Sequence, residues 1–280
     1  MRVFITGSKG QLGTAFVNYF EANGYDYQAV DVDTLDISDP DASAAAVMAY
    51  RPGLVINCAA YNHVDLAEAE ERTAIAVNAV GARNLAQAAR RLEASMVHYG
   101  TDYVFDGKKN APYTEGDEPN PINNYGRSKL LGEKYVLENV PTALVLRLSW
   151  LYGEGKQNFM HKLKGWAQKP EPLRVAADEV SVPTFTGDIV TATMAALRRG
   201  LSGTWHLTNT GHCSRLEWAK LALKEFGIEK NIEPARMADF NLPARRPGFS
   251  AMSNEAFTKE LGIAIPAWQD SVQKYIRANK

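Results

Sequence analysis

The chain has 280 residues, 45% hydrophobic and 22% charged, proportions of an ordinary globular protein and not of a disordered or membrane chain. A formal net charge of -1, with Lys and Arg dispersed and not gathered into runs, argues against nucleic acid as a partner. The two cysteines, Cys58 and Cys213, lie far apart and the five histidines have no ligand spacing, so neither a disulfide nor a metal site is expected.

Met1 and Arg2 lead straight into an apolar run of about four residues, too short for a signal peptide or a membrane span. A cytoplasmic chain without membrane attachment is expected. Short β-branched apolar runs then alternate with longer amphipathic stretches. Val3–Thr6, Gln28–Val32, Leu54–Asn57, Met96–Tyr99 and Ala143–Arg147 read as buried strands with helical patterns between them. The expected fold is α/β, a doubly wound parallel sheet of Rossmann-like type that binds nucleotides at the carboxyl ends of its strands.

The first strand runs into Thr6–Gly13, whose Gly7, Gly10 and Gly13 follow a Gly-x-x-Gly-x-x-Gly spacing and open a helical pattern reaching about Asn23. Glycines here let the backbone approach a pyrophosphate, and the new helix aims its free N–H groups at the anion. The second strand ends at Asp31, 18 residues after Gly13, near the offset of a carboxylate that binds the adenosine ribose. That carboxylate would repel a 2′-phosphate and leans toward NADH over NADPH, a preference Lys9 could soften. Asp36 and Ile37 could meet the adenine, and Ala59, Ala60 and Tyr61 follow the third strand beside the cofactor.

At the carboxyl end of the fourth strand, Tyr99–Gly107 supplies Thr101, a hydroxyl able to hydrogen-bond a reacting carbonyl oxygen. Tyr125 and Lys129, four residues apart, share one face of a helical run at Ser128–Glu138, downstream of the polar stretch Pro112–Asn124. A nearby ammonium would depress the phenol's pKa toward the working range of an acid. With 12 tyrosines, chance alone gives about 0.6 such pairs, and Tyr152 with Lys156 repeats the spacing between glycines. Helical context favours Tyr125.

Beyond Tyr152, glycines and prolines break the pattern. The expected organisation is a dinucleotide-binding domain over residues 1–152 and a smaller, mainly substrate-binding lobe over 153–280. One helix there should follow Asp188 as N-cap, and another should run from Ser214 to Phe226, with Ser214 and Glu217 forming a capping box. His98 reads as a satisfied interior imidazole.

The glycine loop, the Tyr125/Lys129 pair and the run Thr101–Gly107 together resemble the extended short-chain dehydrogenase/reductases, and most closely the dTDP-4-dehydrorhamnose reductase family. Asn57–Asp65, Asn78–Leu85, Arg147–Gly153 and Arg246–Ser250 extend the likeness nearly end to end. The resemblance implies NADH- or NADPH-dependent reduction of the 4-keto group of a dTDP-4-keto-6-deoxyhexose in sugar-nucleotide and polysaccharide biosynthesis. It implies Thr101, Tyr125 and Lys129 as catalytic residues, with Lys129 also on the nicotinamide ribose. Gly10, Gln11, Leu12, Asp31, Asp36, Ile37, Ala59, Ala60, Tyr61 and Tyr99 would line the cofactor. Thr101, Asp102 and Trp150 would touch the sugar, unless Trp150 is an interior aromatic. Arg245 and Arg246 are either diphosphate partners or a solvated surface pair. Family members can pair through a divalent ion; a homodimer is compatible with the likeness, and no metal ligand is carried over.

Two stretches depart from the family's pattern. Gly100 replaces the serine before the threonine, and Asp178–Thr184 differs from Asp-Gln-x-Gly-x-Pro-Thr, with Glu179 and Ser181 at the glutamine and glycine places. Two other readings compete. A nucleotide-sugar epimerase or dehydratase shares the fold, but Tyr103 stands where dehydratases carry a glutamate base. A non-catalytic dinucleotide-binding regulatory subunit would not need Thr101, Tyr125 and Lys129 intact.

Overall fold

The computed structural model describes residues 1–155 and 157–279. Five strands and five helices alternate through the first half: β1 (Val3–Thr6), α1 (Gln11–Ala22), β2 (Tyr27–Val30), α2 (Pro40–Tyr50), β3 (Leu54–Asn57), α3 (Glu71–Ile75), α4 (Ala82–Arg91), β4 (Ser95–Thr101), α5 (Asn124–Asn139) and β5 (Leu144–Leu148). The sheet order is β2-β1-β3-β4-β5 followed by the strand Gly203–His206, all parallel. This is the doubly wound, Rossmann-like sheet read from the alternation.

The alternation of side chains explains why the strands carry unbroken apolar runs. Val3 and Ile5 face one layer, packed with Phe16 and Phe20 of α1, whereas Phe4 faces the other, packed with Val47 and Leu85 of α2 and α4. β2 lies at the edge and ends at Val30, two residues before the expected Val32, which is 75% exposed. The chain leaves the ladder there because Asp31 accepts the turn hydrogen bonds from Thr34 and Leu35 N–H.

Beyond Tyr152 a second core gathers Tyr152, Met160, Leu163, Trp218, Val272 and Ile276. The helix Arg215–Phe226 has the expected Ser214/Glu217 capping box. The helix Thr186–Arg199 differs from expectation. It begins two residues before Asp188, with Phe185 at the N-cap and Asp188 inside the first turn. Asp188 does not cap because its carboxylate accepts from Asn209 and Ser271. This helix packs on the α1 layer, and Gly203–His206 extends the large sheet, so residues 186–206 return to the first core. Tyr152 is buried in the second core, and Lys156, the other half of the competing tyrosine–lysine pair, lies outside the described residues. Among the described residues, no helix is long and apolar enough to cross a membrane.

Candidate active site

Strand order reverses between β1 and β3, which opens a crevice at their carboxyl ends. Gly7 turns there with φ +66°, and a Cβ on it would lie 2.5 Å from Ala59 N, so only glycine lets the two loops touch. A Cβ on Gly13 would lie 2.1 Å from Gly7 O, which seats α1 directly on the turn. Gly10 is the N-cap of α1 and no side chain caps that end, while Gln11 Oε1 is buried without a partner among the described residues. A built cradle with free helix N–H groups is what a dinucleotide diphosphate requires.

Two adjoining cavities, about 460 and about 360 Å³, meet over Gly10, Ala59 and Ala60. Asp31, Asp36, Ile37 and Tyr61 border the first with Gly7; Gln11, Leu12, Tyr99, Thr101, Asp102, Tyr125, Lys129 and Trp150 border the second. Gly13 serves from behind through its packing. At the first cavity, Asp31 Oδ2 accepts from Lys9 N–H at 2.7 Å and Oδ1 from Val32 N–H at 2.8 Å, which fixes the carboxylate at the rim. The Lys9 ammonium is tied to Asp33 instead.

Two asparagines that spacing alone did not single out lock the loops behind the trough. Asn57 Oδ1 accepts from Thr6 Oγ1 at 2.7 Å and from Ala59 N–H at 3.1 Å, and its Nδ2 meets His98 Nδ1 at 3.1 Å. His98 is thus interior as expected but only half-partnered, since its Nε2 has no hydrogen bond among the described residues. Asn78, in the π-helical turn Ala76–Gly81, accepts from Tyr61 N–H at 2.8 Å and donates to Ser128 Oγ at 2.9 Å. It ties the loop after β3 to α5.

α5 starts at Asn124, with Asn123 Oδ1 accepting from Gly126 N–H at 2.8 Å, and so includes Tyr125. A Cβ on Gly126 would lie 2.2 Å from Tyr103 O, so α5 lies flush against the turn after Thr101. Tyr125 and Tyr103 meet edge to face at 5.9 Å. Lys129 reaches across to donate from Nζ to Tyr99 O at 2.6 Å. Burial lowers the Lys129 pKa to about 8, with Glu133 opposing. Burial also raises the Tyr125 phenol to about 12, against a weaker pull from Thr101. The expected depression of the phenol by Lys129 is therefore corrected: removal from water dominates, the Asp102 charge adds to it, and the opposing pull comes from Thr101. At neutral pH Tyr125 is a phenol with a proton to give.

Asp102, beside Thr101, is buried with a pKa pushed up to about 6 by burial, opposed by hydrogen bonds from Ser250, Ser181 and Thr101. Ser181 Oγ donates to it at 2.8 Å and Thr101 Oγ1 at 3.2 Å. Ser181, which stands at a glycine place in the family's pattern, thus exists to hold Asp102. The Gly100 departure has an equally direct cause. A Cβ there would lie 2.1 Å from Glu133 Oε1, and Glu133 is engaged with Arg147 at 2.9 Å in a buried pair.

Trp150 adopts φ +38°, the left-handed region that an indole rarely occupies, and stacks on Trp218 at 5.7 Å on the cavity wall. It is partly exposed and lines the cleft, not an interior aromatic. Arg215, which spacing did not flag, joins the same wall. Arg246 does not line either cavity: both its terminal nitrogens bond Asp65, at 2.9 and 2.7 Å, in the loop after β3. Arg245 is exposed and offers its carbonyl to Asn123 Nδ2 at 2.8 Å. Neither arginine borders the two cavities. Among the described residues no cluster of His, Cys, Asp and Glu could hold a metal ion.

The model of the RmlD substrate binding domain family matches residues 1–280. A dTDP-4-dehydrorhamnose reductase of Mycobacterium tuberculosis is 39% identical over 286 residues, covering 99% of this chain and 93% of that protein. The crystal structure of a dTDP-4-dehydrorhamnose reductase from Clostridium acetobutylicum superposes with a TM-score of 0.97 at 34% identity, covering 100% of this chain and 99% of the other. That of a dTDP-4-dehydrorhamnose reductase from Bacillus anthracis, in complex with NADP, gives 0.95 at 34% identity and covers 99% of each chain.

Proposed function

This chain belongs to the RmlD substrate binding domain family, and from that premise we propose that it reduces the 4-keto group of a dTDP-4-keto-6-deoxyhexose, of the dTDP-4-dehydrorhamnose to dTDP-rhamnose type. It is an NAD(P)H-dependent oxidoreductase of sugar-nucleotide metabolism. The observation that carries the finer reading is that Thr101, Tyr125 and Lys129 border one cavity, which continues over Gly10 toward Asp31.

The cradle of Gly7, Gly10 and the uncapped start of α1 fits a dinucleotide diphosphate, with Asp31 at the adenosine ribose and Asp36, Ile37 and Tyr61 around the adenine. Bound in that trough, a reduced nicotinamide supplies hydride to C4 of the sugar. Tyr125 gives its phenolic proton to the carbonyl oxygen, so that C4=O becomes C4–H and O–H, and water restores the phenol afterwards. Thr101 orients that oxygen by hydrogen bonding, and the Lys129 ammonium, anchored on Tyr99 O, stabilises the transient phenolate and reaches the nicotinamide ribose. In this proposal residues 1–152 hold the dinucleotide and 153–280 mainly close over the sugar, with Asp102 and Trp150 as sugar contacts.

A dehydratase would need a carboxylate where Tyr103 stands. Glu179, 3.4 Å from the Tyr103 hydroxyl, is held by Arg215, and Asp102, the carboxylate that borders the cleft, is held by Ser181 and Ser250. The test follows NADH absorbance with dTDP-4-keto-6-deoxy sugars for the wild type and Tyr125→Phe. Turnover by the wild type and a fall in kcat of about a thousandfold in the variant, with NADH binding kept, are expected. A wild type that binds NADH and reduces no keto-sugar nucleotide would establish the regulatory-subunit reading instead.

A further inference from the structure

The wall opposite Tyr125 is built from charges and aromatics that the proposed chemistry does not use. Glu179 is only 5% exposed, yet it meets Arg215 through two contacts, from Nε and from one terminal nitrogen, each at 3.2 Å. The guanidinium of Arg215 lies over Trp150, 3.6 Å from the ring centroid, and 5.1 Å from that of Phe159. The second terminal nitrogen of Arg215 has no hydrogen-bond partner among the described residues, while Trp150 Nε1 and Trp218 Nε1 are buried behind the ring faces without one. Trp150, Trp218, Phe159 and Arg215 all border the cavity that holds Tyr125.

We propose that Arg215, oriented by Glu179, is a further substrate-positioning residue that hydrogen-bonds a hydroxyl of the sugar ring lying over Trp150. This rests on the reading of the cleft as a sugar-nucleotide site. A wall of aromatic faces with one unengaged guanidinium donor at its edge suits a ligand with an apolar ring face and oxygen acceptors around its rim, which describes a pyranose. The Glu179 carboxylate decides which part of the substrate is read. It cancels the guanidinium charge inside a buried pair, so Arg215 keeps a directional donor with little attraction for a dianion. A neutral hydroxyl fits that better than the diphosphate. With a glutamine at position 179 of this chain the arginine would keep its full charge; the carboxylate therefore sets the polarity of the wall.

The experiment compares Arg215→Met, which keeps an apolar stem over Trp150, with Glu179→Gln and with wild type. For Arg215→Met the KM of the dTDP-4-keto-sugar should rise about tenfold, kcat should stay within about threefold, and the affinities for NADH and for dTDP alone should not move. Glu179→Gln should raise KM about threefold and strengthen binding of dTDP alone, because the freed charge now attracts phosphate. An unchanged KM in Arg215→Met overturns the assignment, as does a parallel loss of affinity for dTDP alone, which would place Arg215 on the nucleotide. If Arg215→Met does not fold, Glu179→Gln decides alone: unchanged KM and unchanged dTDP affinity refute the proposal. Absence of wild-type turnover with every keto-sugar nucleotide sinks the function proposed above, and these variant comparisons remain readable through dTDP-sugar binding.

Discussion

The two ends of the trough are made of different material. The end proposed to hold the dinucleotide is main chain: a turn that only Gly7 allows, a helix N-terminus begun by Gly10, and Asp31 pinned by two N–H groups. The end proposed for the sugar is side chain: Asp102, Trp150, Glu179, Ser181, Arg215 and Ser250 arrive from separate segments and hold one another by hydrogen bonds, ion pairing and stacking. A main-chain site tolerates almost no change in shape but carries little choice of ligand. A side-chain site can be re-specified one residue at a time, and the departures at Glu179 and Ser181 fall at that end.

The largest effect should come from forcing a side chain into the main-chain end. In Gly7→Ala the new Cβ would sit 2.5 Å from Ala59 N with the backbone at φ +66°. A loss of about 2–4 kcal/mol in stability and a fall of at least tenfold in NADH affinity are expected, read by denaturant titration and fluorescence binding. Unchanged stability and NADH affinity would mean that the loops do not need the contact, and the comparison would fail at its firmest point.

Lys129 lies where the two ends meet and should show the cost of side-chain construction. Its buried ammonium has a pKa of about 8 against an ordinary 10.5, so between those values the folded chain holds fewer protons than the unfolded one. Stability attributable to this group therefore rises as pH climbs from about 8 to 10.5, and at pH 7 the buried charge costs up to about 3 kcal/mol. Lys129→Met should melt higher than wild type at pH 7, by about 1–3 kcal/mol once the lost bond to Tyr99 O is counted, with the gain fading toward pH 10. Reduction should be abolished in the same variant. A lower melting point at pH 7 would show that the ammonium is a structural asset.

The same division explains what could be read from the chain. The sheet, the glycine loop, Asp31 and the Tyr125/Lys129 pair are each encoded within one strand-loop-helix step, where residue spacing maps directly onto geometry. The Asp102–Ser181–Ser250 cluster and the Glu179–Arg215 pair join positions 36 to 148 residues apart, and no periodicity encodes such meetings. Two further points share the cause. The residue type of Arg246 leaves a diphosphate partner and a solvated surface pair both open, and the Asp65 that the fold sets beside it lies 181 positions away. The Tyr125 phenol was expected to titrate low from its neighbour, but burial, a property of the whole fold, decides the direction.

The smallest expected effect concerns the choice between NADH and NADPH, since it acts through an exposed rim. Asp31 faces the cavity at the end of β2, and the ammonium best placed to offset it, on Lys9, is occupied by Asp33. A 2′-phosphate would meet an uncompensated carboxylate there, so kcat/KM should favour NADH. Asp31→Ala removes the ribose acceptor and the repulsion together, and the NADH to NADPH ratio should contract about tenfold, mostly through KM. Lys9→Ala should change the ratio by no more than about twofold, because its charge is already committed. Added salt should shrink the wild-type preference, as screening requires at a solvated site. An equal ratio in wild type and Asp31→Ala would show that the carboxylate does not select the cofactor, and the one side chain assigned to the main-chain end would lose its function.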